Sequence, residues 1–258
     1  MTRTRLQEIG LGAMPFAGLL AAWWAITNLV HVSMATLPSP AAVWAAASGL
    51  WSTGELQTDI LTSLGRIALG AGVSIVLGIG LGLIAGLNRP LGDLLLPLAS
   101  FFNSVSGIAW IPLAITWFGL GTVAVTFIIV NAVFFLIFFN TVLGVRSVPR
   151  IMEQAVRTLG GGYRELILHV FLPGALPHIM SGIRSGLGFG WRALIAAELI
   201  AATSGLGFLI YDASNFLRSD RILTGILIIG VIWMIIDNLA LKPLERRTVE
   251  RWGTVRTL

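Results

Sequence analysis

GTVAVTFIIVNAVFFLIFFNTVL, residues 121–143, is the stretch of sequence that decides the fold. It carries no charged residue over its 23 positions. A helical crossing of the hydrocarbon core takes about 20 consecutive apolar residues. Lipid offers no hydrogen-bonding partner to an open backbone, so a segment of this kind must satisfy its own amides and carbonyls. The stretch therefore predicts a transmembrane helix.

The rest of the chain repeats this pattern. Of its 258 residues, 56% are hydrophobic and only 11% are charged, about half the charged fraction of a soluble domain. Together with 121–143, the apolar segments fall at roughly 10–30, 64–87, 93–118, 176–202 and 222–241. We therefore predict an all-α polytopic membrane protein with about six transmembrane helices, forming a single domain over residues 1–258. Because segment 93–118 contains Pro97 and Pro112, it should be kinked or broken.

The distribution of basic residues predicts the orientation. The chain has 17 Lys and Arg residues and a formal net charge of +5. Twelve of the 17 fall at the termini or in loops that share one side of the membrane with the N-terminus, whereas only Arg218 and Arg221 fall on the other side. Basic loops stay in the cytoplasm, so both termini should be cytoplasmic. The excess of basic over acidic residues is thereby explained without a nucleic-acid partner.

Several kinds of chemistry are missing from the sequence. It has no cysteine, and His31, His169 and His178 lack the spacing of metal ligands. We predict neither a metal site nor catalytic residues. The only lysine, Lys242, follows Leu241, so the chain contains no Gly-Lys-Ser/Thr phosphate loop. If ATP drives this protein, another chain must hydrolyse it.

Two segments carry glycines at intervals of four residues. Gly78, Gly82 and Gly86 share a face of one predicted helix, and Gly182, Gly186 and Gly190 share a face of another. Small residues let helix backbones approach closely in lipid. Close packing within one subunit is favoured over a seam between two subunits.

One cytoplasmic loop, about residues 144–176, is too long for a simple connection. Ser147 and Pro149 are typical of a helix start, and Gly160-Gly161-Gly162 is typical of a helix end. Between them runs an apolar stripe, formed by Ile151, Met152, Ala155, Val156 and Leu159. A second short helix should run from Tyr163 to Phe171 and stop at Pro173. Composition alone does not decide whether this hairpin anchors the chain at the membrane surface or docks a soluble partner.

The sequence of this loop resembles a known motif. Gln154-Ala155-Val156-Arg157-Thr158-Leu159-Gly160, followed by Phe171-Leu172-Pro173, is similar to the EAA motif of binding-protein-dependent ABC permeases. Gln154 stands where that family has glutamate, with Glu153 one residue earlier, and Val156 replaces the second alanine. Other stretches resemble the sulfonate, taurine and nitrate branch: Leu37–Pro40, Ser63–Arg66, Ile111–Leu113, Trp117–Gly119, Pro173–Pro177 and Ala197-Glu198.

The resemblance implies a type I ABC importer permease, the MetI-like fold. It implies a homodimer of permeases, two cytoplasmic ATPase subunits that hold ATP and Mg, and a periplasmic or lipid-anchored binding protein, all at a bacterial inner membrane. The solute would be a small anion of the sulfonate, taurine, nitrate, bicarbonate or aromatic acid class. It also assigns ATPase coupling to the hairpin residues Ile151, Glu153, Gln154, Ala155, Arg157, Leu159, Gly160 and Pro173.

Polar residues at membrane depth are candidates for the translocation path. Arg192 and Glu198 lie within the segment 176–202, and a buried charge normally faces a partner or water. They are six positions apart, about 120° around one helix, so they should not pair with each other. A structural salt bridge to another helix is an equal alternative for each. Amides and hydroxyls, which also join helices, add three further candidates: Asn103, Ser106 and Asn131.

Two other classes of membrane protein compete with this interpretation. A secondary transporter usually shows duplicated halves and paired broken helices, and the sequence shows no such repeat. An intramembrane enzyme needs a nucleophile with a base, or metal ligands, at membrane depth. No histidine lies in the centre of a predicted span.

Overall fold

The computed structural model describes residues 3–29, 33, 34 and 36–245. Its helices are α1 (Arg3–Leu29), α2 (Pro40–Ser52), α3 (Glu55–Leu87), α4 (Arg89–Ser104), α5 (Gly107–Phe118), α6 (Thr122–Ser147), α7 (Arg150–Thr158), α8 (Tyr163–Ala201), α9 (Leu206–Asn215) and α10 (Ser219–Glu245). The C-terminal arginines that contribute to the orientation argument, at positions 246, 247, 251 and 256, lie outside the described residues.

Among the residues that the structure describes, four helices are long and apolar enough to cross a membrane: α3, α6, α8 and α10. Helices α4 and α5 meet at an angle of 84° and pass the same test only as a pair, so they form either a broken fifth span or a re-entrant loop. This confirms that segment 93–118 is broken. The break falls at Val105 and Ser106 rather than at a proline, because Pro97 lies inside α4 and Pro112 lies in the first α-helical turn of α5.

The sixth predicted crossing, the segment at roughly 10–30, stays a prediction, since only part of it lies among the residues whose side chains the structure describes. The described apolar part of the first segment runs only over Ala17–Leu29, which is shorter than the roughly 20 residues of a straight crossing. In the sequence, residues 9–16 before it carry no charge, so the uncharged stretch as a whole has the length of a crossing. The all-α polytopic class is confirmed.

Helix α6 is the centre of the bundle, with α3 and α8 packed along it. Both predicted glycine faces turn toward α6. A Cβ atom added at Gly78 or Gly82 would lie 2.9 Å from Cβ of Ile137 or 2.6 Å from Cβ of Thr141, and one added at Gly182 would lie 2.7 Å from Cβ of Asn140. The glycines therefore serve packing within one subunit, as predicted.

The second helix of the cytoplasmic loop does not stop at Pro173. It continues as α8 through the proline to Ala201, with a π-helical turn at Ile167–Phe171. Proline removes one backbone donor and crowds the carbonyl four residues earlier, and the wider π turn lies where that crowding would occur. The predicted hairpin bounds of 144–176 are thus too wide, since α6 extends to Ser147 and α8 starts at Tyr163.

Candidate functional site

Helix α7 is a short amphipathic helix between two membrane helices. It begins after Pro149 and ends at a Schellman turn, in which Gly160 adopts a φ of +81°. The N–H of Gly161 donates to the carbonyl of Val156 at 2.9 Å, and the N–H of Gly160 donates to that of Arg157 at 3.0 Å. The positive φ explains the glycine at position 160.

The apolar stripe of α7 has no cover within this chain. Ile151 is 69% exposed and Leu159 is 87% exposed. No residue of α7, all of which the structure describes, is buried. Glu153 and Arg157 form a surface ion pair at 2.9 Å, while Gln154 and Ala155 are also exposed. An exposed apolar face rimmed by charges is a surface suited to a partner protein.

The start of α8 is anchored to the end of α6. A Cβ atom added at Gly174 would lie 2.8 Å from Cγ2 of Val148. Val145, Ala175 and Ile179 form a buried cluster, against which Phe171 packs. Pro173 is half-buried at this junction. A displacement of α7 therefore reaches α8 through a short turn and continuous helix.

A second candidate site is the cavity beside the break between α4 and α5. Its volume is ≈ 350 Å³, and its lining includes the three predicted path residues Asn103, Ser106 and Asn131. Phe189 of α8 closes one side, and the guanidinium of Arg192 lies 5.6 Å from the centre of the Phe189 ring. Three of the five predicted path residues thus line one cavity, while Arg192, which is exposed in the isolated chain, contacts the lining residue Phe189.

Glu198, the fifth predicted path residue, lies elsewhere. It is fully buried and forms an ion pair with Arg66 of α3 at 2.8 Å. Ser63 donates to both of its oxygens at 2.9 Å. The structure favours the alternative of a salt bridge to another helix for this residue. As predicted, Glu198 does not pair with Arg192.

The ion pair belongs to a buried network that caps helix α9. Three successive backbone N–H groups donate to side chains of other helices: Gly205 to Asp59 at 2.7 Å, Leu206 to Ser63 at 2.9 Å, and Gly207 to Glu198 at 3.0 Å. The carboxylates lie at the positive end of α9, which favours negative charge. Arg66 also donates to the carbonyl of Ser204 at 2.6 Å.

The sequence analysis did not predict that Asp59, Ser63 and Arg66 form one network with Glu198. The available signal was that Ser63–Arg66 and Ala197-Glu198 both belong to stretches that resemble the permease family. The spacing of Asp59, Ser63 and Arg66, at intervals of four and three, places them on one face of α3. Neither signal identifies Glu198 as the partner of Arg66, because the two residues are more than 130 positions apart in the sequence.

Comparison with known proteins identifies the class. Residues 78–247 match the family described as the inner membrane component of binding-protein-dependent transport systems. The chain belongs to this family, and it is the permease subunit of an ABC importer. Membership confirms the prediction of a transporter subunit rather than an enzyme.

Individual relatives show which branch the chain resembles. It is 35% identical to the taurine transport system permease protein TauC of Escherichia coli, over 97% of this chain and 92% of that protein. It is 33% identical to the putative aliphatic sulfonates transport permease protein SsuC of Bacillus subtilis, over 91% and 84% of the two chains. It is 34% identical to the bicarbonate transport system permease protein CmpB of Synechococcus elongatus, over 69% and 64%.

The fold also has a counterpart among solved structures. An inward-facing structure of the MetNI methionine ABC transporter superimposes with a TM-score of 0.62 at 17% sequence identity. The match covers 76% of this chain and 97% of that chain. At this identity the likeness concerns the fold alone, and it confirms the MetI-like architecture.

Proposed function

We propose that two copies of this chain form the membrane pathway of an importer for a small organic or inorganic anion in a bacterial inner membrane. Two cytoplasmic ATPase subunits would bind α7 and hold the ATP and Mg. A periplasmic or lipid-anchored binding protein would deliver the solute to the opposite face. The chain itself would need no cofactor, and both of its termini would be cytoplasmic.

The exposed apolar face of α7 carries this proposal. Ile151, Ala155 and Leu159 would supply apolar contact area in a groove of the ATPase, while Gln154 and Arg157 form the polar rim. Burial of such a face removes apolar surface from water, at about 25 cal/mol per Å². Because α8 is continuous from Tyr163 to Ala201, a movement of the docked helix would act directly on the membrane bundle.

The anionic class of the solute rests on two supports. The relatives named above are permeases for taurine, aliphatic sulfonates and bicarbonate. The guanidinium of Arg192 lies 5.6 Å from the centre of the Phe189 ring, and Phe189 lines the same cavity as the amides of Asn103 and Asn131. A guanidinium with neighbouring amide donors suits a sulfonate or carboxylate group.

Replacement of Gly160 by valine tests the coupling role of α7. A β-branched residue at a φ of +81° is strained by about 1–3 kcal/mol, so the turn should relax and re-aim α7. We expect the variant to insert in the membrane but to lose ATPase binding, or to hydrolyse ATP without transport. The measurement is co-purification with the ATPase subunits, followed by ATP turnover and uptake in proteoliposomes.

The chain offers a matched control for this experiment. Gly54 has a φ of +80°, and a Cβ atom added at either glycine meets no atom within 4 Å. Gly54→Val introduces the same strain at the opposite end of the bundle and should leave coupling intact. Arg157→Glu, which reverses one charge of the rim, should also weaken ATPase binding. Wild-type assembly and transport in both Gly160→Val and Arg157→Glu would refute the proposal.

A further inference from the structure

A basic cavity lies between α7 and the cytoplasmic ends of the membrane helices. Its volume is ≈ 590 Å³. The end of α3, the start of α4, the end of α6 and the start of α8 all contribute to its wall. Its charged lining residues are Arg89, Asp93, Arg146, Arg150, Glu153 and Arg157. Four arginines against two carboxylates leave a net positive charge.

Two of these arginines are available for a ligand. The side chains of Arg89 and Arg150 are exposed and, within the part of the chain that the structure describes, form no hydrogen bond or ion pair. Arg146 has only a long contact of 3.5 Å from its Nη2 to the carbonyl of Ala85. Arg157 is already paired with Glu153 at 2.9 Å. Arg89 and Arg146 also belong to different helices, so their guanidinium groups can approach one anion from two sides.

The position of Arg146 depends on Gly92. Gly92 is buried, and a Cβ atom added there would collide with Nη2 of Arg146 and with the carbonyl oxygen of Ala85. The absence of a side chain lets α4 pack against the end of α3 and leaves a place for the guanidinium between them. The basic cavity is therefore formed by the packing of the bundle itself.

Apart from Gly86 and the phenol of Tyr163, the remaining lining is apolar. Leu87, Val148 and Phe171 supply its accessible surface, since Val145 and Leu166 behind them are almost fully buried. The cavity lies where α3 and α6 end and α4 begins, at the boundary between the apolar helices and the polar segment that contains α7. A free inorganic anion makes no favourable contact with the apolar wall, whereas a phospholipid presents a phosphate followed by glycerol and acyl chains. Basic pockets between the cytoplasmic ends of membrane helices bind anionic headgroups in this way.

We propose that this cavity binds the headgroup of an anionic phospholipid from the cytoplasmic leaflet. Arg89 and Arg146 bind the phosphate, Arg150 adds charge from the first residue of α7, and the apolar wall receives the first part of the acyl chains. The bound lipid would then contact both α7 and the membrane bundle. The assignment to the cytoplasmic leaflet rests on the orientation proposed above.

Lipid binding to the purified complex of permease and ATPase tests this site. Phosphatidylglycerol and phosphatidylethanolamine of identical acyl chains are titrated and followed by native mass spectrometry. We expect the wild-type complex to prefer phosphatidylglycerol by about tenfold or more, since each basic residue at the surface contributes a several-fold effect. Arg89→Gln with Arg146→Gln should abolish most of that preference. Arg89→Gln alone should reduce it several-fold without touching the contact at Ala85.

Arg164→Gln is the matched control, because Arg164 is an exposed arginine in the first turn of α8 that does not line the cavity. It should keep the preference of the wild type. Equal binding of the two lipids by the wild type, or an unchanged preference in both Arg89 variants, would overturn the proposal. Displacement of phosphatidylglycerol by inorganic phosphate alone would also overturn it, since the site would then take a free anion. The assay measures no transport, so its failure is distinct from failure of the importer assignment.

Discussion

Glu198 and Arg66 form the most buried charged pair among the residues that the structure describes. Arg66 is 3% exposed and Glu198 is 0% exposed. Removal of one partner from a buried ion pair leaves an uncompensated charge and costs about 3–5 kcal/mol. Glu198→Gln should therefore lower the Tm of the detergent-purified protein strongly. Arg66→Gln combined with Glu198→Gln should recover part of the loss.

A matched comparison is the exposed pair of Arg218 and Asp220, which are 3.3 Å apart. Exposed pairs contribute at most about 1 kcal/mol, so Asp220→Asn should change the Tm little. A wild-type Tm in Glu198→Gln would show that the network around α9 does not stabilise the fold.

Arg192 is the residue on which the anion hypothesis depends. Loss of a charged hydrogen-bonding group from a ligand site costs about 1.5–3 kcal/mol, or roughly tenfold or more in affinity. Arg192→Met should therefore reduce uptake of a permitted anion by at least this factor, while the complex still assembles. Arg192→Lys keeps the charge and should retain more activity. Uptake of taurine into proteoliposomes with the matching binding protein is the measurement, and full transport by Arg192→Met would remove Arg192 from the path.

At the level of helices, the approach of α3 to α6 depends on which glycines face the contact. A Cβ atom added at Gly82 would lie 2.6 Å from Cβ of Thr141, whereas one added at Gly80 meets nothing within 4 Å. Gly82→Ala should push the two helices apart and lower the Tm by several degrees. Gly80→Ala, on the same helix, should be neutral or stabilising, since alanine is a better helix former than glycine by about 1 kcal/mol.

Thermal unfolding of the two purified variants measures this difference. An equal Tm for Gly82→Ala and Gly80→Ala would contradict the close packing of α3 on α6.

The sequence predicted the long membrane helices but not all of their bounds. Apolar length predicted α3, α6, α8 and α10 because a crossing must satisfy its own backbone, and this requirement is visible in any long apolar stretch. It did not predict that α8 runs through Pro173. That outcome depends on a π turn and on packing against Val148, which are tertiary features.

In the candidate sites too, local patterns could be predicted from the sequence, whereas contacts between distant residues could not. The exposed α7 was predictable because its stripe and its terminal glycines are local. The cavity at the α4–α5 break was predictable only as separate polar residues, since Asn103, Ser106 and Asn131 meet through the 84° bend. The role of Arg66 was not predictable from pattern, because a single charge in an apolar helix does not identify its partner on another helix.

At the scale of the whole molecule, the sites described above lie at different levels of the bundle. The α7 helix and the basic cavity share the end at which α3 and α6 terminate. The buried network of Glu198 and α9 lies at the opposite end, near the start of α3. The polar cavity beside Asn131 lies between them. An importer that couples ATP hydrolysis to a gate needs this separation, because the ATPase and the binding protein act on opposite faces.

The placement of Lys and Arg predicts which end of the bundle faces the cytoplasm. Single cysteines at Ser52, at the outer end of α2, and at Thr257, near the C-terminus, should respond differently to a membrane-impermeant thiol reagent on intact cells. The chain has no cysteine of its own, so each label reports one position. Ser52 is exposed and should be labelled. Position 257 should react only after lysis, because the twelve of 17 basic residues on its predicted side favour a cytoplasmic location. Labelling at position 257 in intact cells, with protection at position 52, would show that the orientation is opposite to the predicted one. Helix α7 would then lie on the outer face, where a cytoplasmic ATPase could not bind it.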